Sequence, residues 1–425
     1  MAKDDATPVP VTRDDDRRLD LIVFGATSFV GQILCRVLVE RHGVGGPESD
    51  PDQLQWAIAG RSAKKLAEVA EATGASVERI VADATSPTDM AALAASAHVV
   101  VSTVGPYALY GSELVAACAA AGTDYCDLTG EPQWMRRMID AHQATAEASG
   151  ARIVHSCGFD SIPSDLGVAV LQAEAEERFG APCTTVAMRV KHMAGGASGG
   201  TIASLMNVVE ETSHDPELRK LMANPYALAP EGMRDGVEQP NVITPVHDDA
   251  SGQWVAPFVM AGINTRVVHR SHALQGRPWG DDFRYDEAML MGDGPIGMAK
   301  AVAVSGGLAS LFALTAIGPV RQLLNDRVLP KPGEGPSLEQ QEAGSFDLRF
   351  FGETAAGEQL QISVTGDRDP GYGATARMLA EVAFCLVEDD EDDAGGGFWT
   401  PSTAIGERLV ERLEDHAGMS FTTVV

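Results

Sequence analysis

The sequence predicts an α/β chain in which a doubly wound parallel sheet carries an inserted second domain of mixed α/β character. Three observations lead there. Over residues 19–157, apolar runs of four to seven residues alternate with helical stretches, the pattern of a sheet covered on both faces. The first run enters "GATSFVG", a glycine turn that opens a helix of apolar period. Beyond Cys157 the rhythm breaks, and "SFDLRFFGE" and "LQISVTGD" alternate as two antiparallel strands do.

The elements follow in order. "LDLIVFG" is a strand and "VGQILCRVLVER" a helix, then "QWAIAGR" and "AKKLAEVAEATG" repeat the pair. "ERIVAD" precedes the short helix "PTDMAALAAS", and "HVVVSTVG" precedes "SELVAACAAAG". "DYCDL" leads to "PQWMRRMIDAHQATAEASG", and "ARIVHSC" closes the run. "PSDLGVAVLQAEAEERFG" reads as a helix with Pro163 in its first turn. "TTVAMRVKHM" is strand-like, and "GGASGGTIASLMNVVEE" is a glycine-rich loop entering a helix. Residues 215–284 are rich in Pro, Gly and Asp, with weak periodicity. The chain ends in the helix "GATARMLAEVAFCLVE", an acidic linker "DDEDDAGGG" and the helix "STAIGERLVERLEDHAG". The expected division is a disordered tail over 1–18, the parallel-sheet domain over 19–183 and the inserted domain over 184–369. Helices within 370–425 are expected to pack back on the first domain.

Composition narrows the function. The 425 residues are 44% hydrophobic, enough for a large core and more than one domain. Sixty Asp and Glu oppose 32 Lys and Arg, for a net charge of -28. Such a surface repels phosphate backbones and excludes nucleic acid as a partner. Cys35, Cys118, Cys126, Cys157, Cys183 and Cys385 form no CxxC and no disulfide framework, which fits reduced thiols in a cytoplasmic protein. The N-terminus "MAKDDATPVPVTRDDDRR" is acidic, the opposite of a secretory signal. One segment is greasy: "AVAVSGGLASLFALTAIGPV", 301–320, carries no charge over about the ~20 residues a bilayer core requires. Its internal glycines and its isolation favour a buried or surface helix over a span. A helix lying on a lipid surface, or lining an apolar substrate pocket, is the intermediate case.

The glycine turn has the setting of a dinucleotide site, after a strand and at a helix start. Gly25 would make the tight turn, and Gly31 would bring the helix close to the strand. Ala26 and the N–H groups of Thr27, Ser28, Phe29 and Val30 would then surround a pyrophosphate. Ser28 stands where such turns usually place their middle glycine. Its hydroxyl is expected to touch the phosphate directly. The second strand ends at Arg61, followed by Ser62, Lys64 and Lys65, where an NAD site would carry an acid. Cations there suit the 2′-phosphate of NADP(H). In "VADAT", Asp83 beside Ala84 either bonds the adenine amino group or serves as an Asp at a helix start. "STVGPY", Ser102, Thr103, Val104, Gly105, Pro106 and Tyr107, follows the fourth strand and would lie at the nicotinamide. Tyr107 could stack there or donate a proton.

In that order, "GATSFVG", "AGRSAKKL", "STVGPY", "YCDLTGE" and "GFDSIPSDLG" resemble the saccharopine dehydrogenase-like oxidoreductases, including their bacterial branch of trans-acting enoyl reductases. "SGGTIAS" and "GGFWTPSTAIGERLVERL" extend the resemblance over nearly the whole chain. It implies a Rossmann domain completed by C-terminal helices, an inserted α/β domain, and a homodimer formed through that second domain. The family's common turn is Gly-Ala-Thr-Gly, so Ser28 is a departure.

The resemblance leaves the substrate open. A multiply charged amino-acid conjugate requires arginines clustered in a cleft. Arg189, Lys191, His192, Arg219, Arg266, His269, Arg270 and Arg284 form no obvious cluster in the sequence. The apolar 301–320 segment points instead to a lipid-like or carrier-bound acyl substrate whose enoyl bond is reduced. Tyr107, Lys191 and His192 are the expected proton donors, with Tyr125 or water as alternatives. Asp160 reads as a helix cap, and Cys157 as a small buried residue. No metal-ligand spacing and no G-x-S-x-G elbow occurs. Two competing readings are an imine or C–N reductase and a non-catalytic, nucleotide-sensing scaffold at lipid surfaces.

Overall fold

Strands buried on both faces need apolar side chains at successive positions, and five such runs, with the exposed edge strand Glu78–Val81, make six strands of the first sheet. A computed structural model describes residues 17–43, 54–195, 207–208, 210–212, 215–315, 335–388 and 394–424. The six strands are β1 (Leu19–Phe24), β2 (Trp56–Gly60), β3 (Glu78–Val81), β4 (Ala97–Ser102), β5 (Asp124–Asp127) and β6 (Arg152–Val154). A seventh, β13 (Gly397–Trp399), arrives from the C-terminal region. Their order is β13-β6-β5-β4-β1-β2-β3, parallel throughout. The chain therefore reverses direction of growth between β1 and β4, where Phe24 and Ser102 are in register.

Alternation assigns the side chains of β1 to two cores. Leu21 and Val23 join Leu34, Cys35 and Leu38 of α1 (Phe29–His42). Ile22 and Phe24 join the opposite core with Leu114 of α5 (Ser112–Ala121) and Trp134 of α6 (Pro132–Ser149). Full burial of each Leu or Ile contributes about 1.5–3 kcal/mol. The remaining helices of this layer are α2 (Ala63–Thr73), α3 (Pro87–Ala94) and the single turn α4 (Tyr107–Tyr110).

The second sheet contains β7 (Cys183–Ala194), β8 (Val246–His247), β9 (Trp254–Pro257), β10 (Arg284–Gly292), β11 (Ser345–Thr354), β12 (Gln359–Gly366) and β14 (Met419–Thr423). It runs β14-β12-β11-β7-β10-β9-β8. Only β7 and β10 are parallel; β11 and β12 form the antiparallel pair that their alternation predicts. Helices α7 (Ile162–Phe179) and α9 (Ala261–Leu274) pack between the layers. Gly167 allows α7 to close on the second sheet, since a Cβ there would lie 2.4 Å from Phe350 Cζ. The other helices are α8 (Pro216–Ala223), α10 (Gly294–Thr315), α11 (Leu338–Ala343), α12 (Thr375–Glu388), α13 (Pro401–Ala404) and α14 (Glu407–His416), with a π-helical turn at Pro370–Ala374.

Several expectations need correction. Arg17, read as tail, is anchored: its guanidinium donates to Ala97 O at 2.8 Å, to Thr123 Oγ1 at 2.7 Å and to Ala121 O. Residues 1–16 of that tail lie outside the described residues, as do most of the glycine-rich loop (196–206) and five residues of the acidic linker (389–393). The C-terminal region contributes more than helices. α12 packs on α1 and β4, while β13 and β14 add one strand to each sheet. α10 overlaps the greasy segment, of which 316–320 lie outside the described residues. Among the residues of α10 whose side chains are described, Gly297 and Ala301 are buried; Ile296 is 73% and Val302 52% exposed. Among the described residues no helix is long and apolar enough to cross a membrane.

Candidate cofactor and active site

The reversal between β1 and β4 leaves a crevice at the carboxyl edge of the sheet. Gly25 turns there with φ +89°, and a Cβ on it would meet Val104 Cγ2 at 2.7 Å and Thr103 Oγ1 at 2.8 Å. At Gly31 a Cβ would lie 2.4 Å from Gly25 O, so this glycine allows α1 to start against the turn. Ser28 is the N-cap of α1, with φ -71° and ψ 165°, a conformation open to any residue. Its Oγ accepts the Gly31 N–H at 2.9 Å and lies 2.9 Å from Thr103 Oγ1. Thr103 Oγ1 also lies 2.9 Å from Gly25 O, so the two hydroxyls and the Gly25 carbonyl form one hydrogen-bonded chain between the turns. The N–H groups of Thr27, Phe29 and Val30 take no hydrogen bond among the described residues. They form the anion cradle expected at a helix N-terminus.

At the adenine end, β2 and β3 run side by side with Gly60 opposite Val81. Arg61 follows β2 and is exposed, without an ion pair among the described residues. Ser62 caps α2 by accepting the Lys65 N–H at 3.4 Å, and Lys64 reaches Glu68 at 3.7 Å. Asp83 is neither the N-cap of α3, which is Ser86, nor free of local bonds. Its Oδ1 accepts the Thr85 N–H and hydroxyl at 2.9 and 2.8 Å. Those two bonds, with the smaller influence of Arg61, hold its carboxyl below the usual range. Ala84 is half-buried beside it.

At the nicotinamide end, Ser102 Oγ accepts the Val104 N–H at 3.4 Å. The Gly105–Pro106 peptide is cis. Glu131 accepts the N–H groups of Tyr107 and Ala108 at 2.8 and 3.0 Å. Tyr107 is buried. Its hydroxyl donates to Ser102 O at 2.9 Å and accepts the Leu128 N–H at 3.1 Å. Burial and the charge of Asp127 push its pKa far up. Tyr107 thus braces β4 against β5.

Asp127 organises the next turn. Its Oδ1 accepts the N–H groups of Thr129 and Ser156 at 3.0 and 3.1 Å; Oδ2 accepts the Tyr125 hydroxyl at 3.0 Å and pairs with His155 Nδ1 at 2.7 Å. These bonds hold Ser156 at φ 61°, a backbone state that costs a residue with a side chain of the order of 1 kcal/mol. The chain then turns through Gly158 and Asp160 into α7. Lys191 and His192 belong to β7 of the second sheet. Lys191 Nζ pairs with Asp347 at 3.0 Å and His192 Nε2 lies 3.2 Å from Ser345 Oγ, both exposed on the second sheet. Neither shares a hydrogen bond or ion pair with the Ser102–Tyr107 turn among the described residues. Cys157 is fully buried and its thiol pKa is pushed well up by that burial.

Residues 21–154 match the saccharopine dehydrogenase NADP binding domain. A Mycobacterium tuberculosis protein is 40% identical over 420 residues, covering 96% of this chain and 98% of its own length. The chain belongs to the saccharopine dehydrogenase-like oxidoreductases. Within the family, a trans-acting enoyl reductase of Mycobacterium leprae is 36% identical over 423 residues, covering 96% of this chain and 99% of that one. The fold is also that of yeast saccharopine dehydrogenase (L-Glu forming), with a TM-score of 0.53 at 12% identity, covering 96% of this chain and 100% of that one. The glycine turn, its unclaimed N–H groups and Arg61 fit the family's cofactor, NADP(H). This saccharopine dehydrogenase-like protein is an NADP-binding oxidoreductase with a Rossmann-type first sheet.

Proposed function

We propose that this oxidoreductase uses NADPH to reduce the C=C bond of an enoyl group on a lipid-like or carrier-bound acyl substrate. The observation that carries the reading is the near-full-length likeness to a protein named trans-acting enoyl reductase, on a chain whose dinucleotide turn fits NADP(H). The exposed apolar surface of α10 supports an apolar substrate delivered at a lipid or acyl-bearing surface.

When bound, NADPH supplies a hydride; the chain supplies placement and a proton. The N–H groups of Thr27, Phe29 and Val30 would hold the pyrophosphate, and Arg61 the 2′-phosphate. The Ser102–Tyr107 turn, fixed by Glu131 and by the Tyr107 hydroxyl, would set the depth of the nicotinamide ring. A rigid turn matters because misplacement by about 1 Å costs about 10²-fold in rate.

NADPH consumption measured with trans-2-enoyl-CoA thioesters of increasing chain length tests the proposal. Longer enoyl chains should turn over faster, and NADH should replace NADPH poorly. Turnover confined to a 2-oxo acid plus an amine would show imine reduction instead. Binding of NADPH without turnover of either class would leave a nucleotide-sensing scaffold.

A further inference from the structure

The carboxyl ends of β4, β5 and β6 meet around a side chain to which nothing above gives a role. Asp160 sits two residues beyond Gly158, where an added Cβ would lie 2.8 Å from Leu128 Cδ2 and 2.9 Å from Thr375 Cγ2. That close packing fixes the turn against Leu128, the residue whose N–H bonds to the Tyr107 hydroxyl. The backbone behind it is tied down as well, with Cys157 N–H donating to Asp127 O at 2.7 Å and Phe159 N–H to Thr375 Oγ1 at 2.9 Å. Asp160 is half-buried, and its carboxyl group takes no hydrogen bond or ion pair among the described residues. It is not a cap: the N-cap of α7 is Ser161, and no side chain caps that helix. The sequence reading of Asp160 as a cap is thereby corrected.

Asp127 and Tyr107 are the groups it interacts with electrostatically, and Glu131 and Asp165 are further acids on the neighbouring elements. Asp127 lies at the end of β5, Tyr107 at the start of α4 and Glu131 before α6. Asp165 is on its own helix, bonded to Ser271 and to the Ser402 N–H. His155, the base beside them, is paired with Asp127. Burial first, and the Asp127 charge second, push the Asp160 carboxyl up to about 7. Asp160 therefore retains a proton to near neutrality, while Tyr107 holds its own far more tightly. Asp127 is committed to four bonds, and Glu131 to two. Asp160 is the uncommitted acid on this edge of the crevice.

We propose that Asp160 is the catalytic acid that protonates the α carbon of the substrate, a role that rests on the enoyl reduction proposed above. As a hydride arrives at the β carbon, the C=C π pair is displaced toward the α carbon. There it takes the Asp160 proton, breaking the O–H bond and forming the second C–H bond. Solvent reprotonates the carboxylate. The sum is one NADPH, one proton and one enoyl group giving NADP⁺ and one saturated acyl group.

The test compares the unaltered protein with Asp160→Asn and Asp160→Glu. NADPH fluorescence titration serves as the folding and binding control and should be unchanged in both variants. With trans-2-octenoyl-CoA, kcat of the unaltered protein should fall as pH rises above about 7. Asp160→Asn should lose about 100-fold, the lower range for general acid catalysis, and with it the pH limb. Asp160→Glu should recover part of the rate and the limb. Independently of activity, infrared difference spectra against Asp160→Asn should contain a protonated-carboxyl band that titrates away near pH 7. Full rate and an unchanged pH profile in Asp160→Asn would overturn the role, as would a band lost near pH 4. If the unaltered protein reduces no enoyl thioester, the proposed function fails and this role fails with it. If it does and Asp160→Asn is equally active, only the role of Asp160 fails.

Discussion

Ser28 Oγ and Thr103 Oγ1 lie 2.9 Å apart and join the turn after β1 to the turn after β4. The two turns would hold opposite ends of one dinucleotide, so their relative position sets the length of the site. Thr103 Oγ1 also reaches Gly25 O, and Ser28 Oγ accepts the Gly31 N–H. Its hydroxyl is thus a cap and a tie. Ser28→Ala should lower stability by about 1 kcal/mol, the usual cost of losing an N-cap, as read by urea unfolding. NADPH affinity should change little. A loss of tenfold or more would show that the hydroxyl does reach the phosphate.

Arg61 is the residue proposed to read the cofactor's 2′-phosphate. Its exposed guanidinium, beside Ser62 at the start of α2, forms no ion pair among the described residues, although Asp83 is near enough to feel its charge. A charge-assisted contact to the 2′-phosphate contributes about 1.5–3 kcal/mol. Arg61→Ala should therefore weaken NADPH binding by roughly 10- to 150-fold and leave NADH binding unchanged, measured by nicotinamide fluorescence. Equal losses for both nucleotides would mean that Arg61 supports the turn instead of reading the phosphate.

What the sequence discloses depends on what a side chain is buried against. The first sheet is legible because runs such as "LIVF" and "AHVVV" are apolar at successive positions, as burial on both faces demands. Helix α9 is not, because its buried side carries Asn264, Arg266, His269, Arg270 and Ser271. Arg270 donates to Phe398 O at 2.6 Å and Asn264 to Glu287 Oε2 at 2.9 Å, while the His269 ring packs against Tyr226 and Phe283. Hydrophobic periodicity cannot register such a helix. β13 is also hidden, as three residues closing a sheet edge carry little pattern. Within the site, Gly25, Gly31 and Arg61 stand out by residue type and spacing. Asp160 does not, because an Asp ahead of a helix has the composition of a cap and only its tertiary neighbours distinguish it.

Helix α10 presents Ile296, Val302 and Leu314 to solvent at 73%, 52% and 47% exposure. A protein of net charge -28 is repelled by anionic membranes, so uncharged lipid is the surface this patch fits. Each side chain transferred from water contributes about 1.5–3 kcal/mol at most. Replacing all three with Ser should abolish co-sedimentation with phosphatidylcholine vesicles and spare turnover of a short soluble enoyl thioester. Unaltered protein that stays in the supernatant would remove lipid contact from the reading.

Glu287 links three elements in the interior and sets the direction of one pH response. Its carboxyl accepts the Tyr285 hydroxyl at 2.7 Å and the Asn264 amide at 2.9 Å, and Asn264 accepts from Ser161 at 3.2 Å. Burial outweighs those bonds and pushes its pKa from 4.5 up to about 7. The folded protein therefore keeps this proton where the unfolded chain has lost it. The resulting stabilisation is complete below pH 4.5 and is lost as pH rises through about 7. His269 and His272 act in the opposite sense, since burial lowers them to about 3 and about 4 and acidification below pH 6.5 costs stability. The two effects are separable by substitution. Glu287→Gln keeps a neutral, hydrogen-bonding side chain at all pH values, so it should flatten the fall in melting temperature between pH 5 and pH 8. Relative to the unaltered protein it should gain roughly 2 kcal/mol over that interval. An unchanged slope would mean that Glu287 ionises in place at ordinary pH.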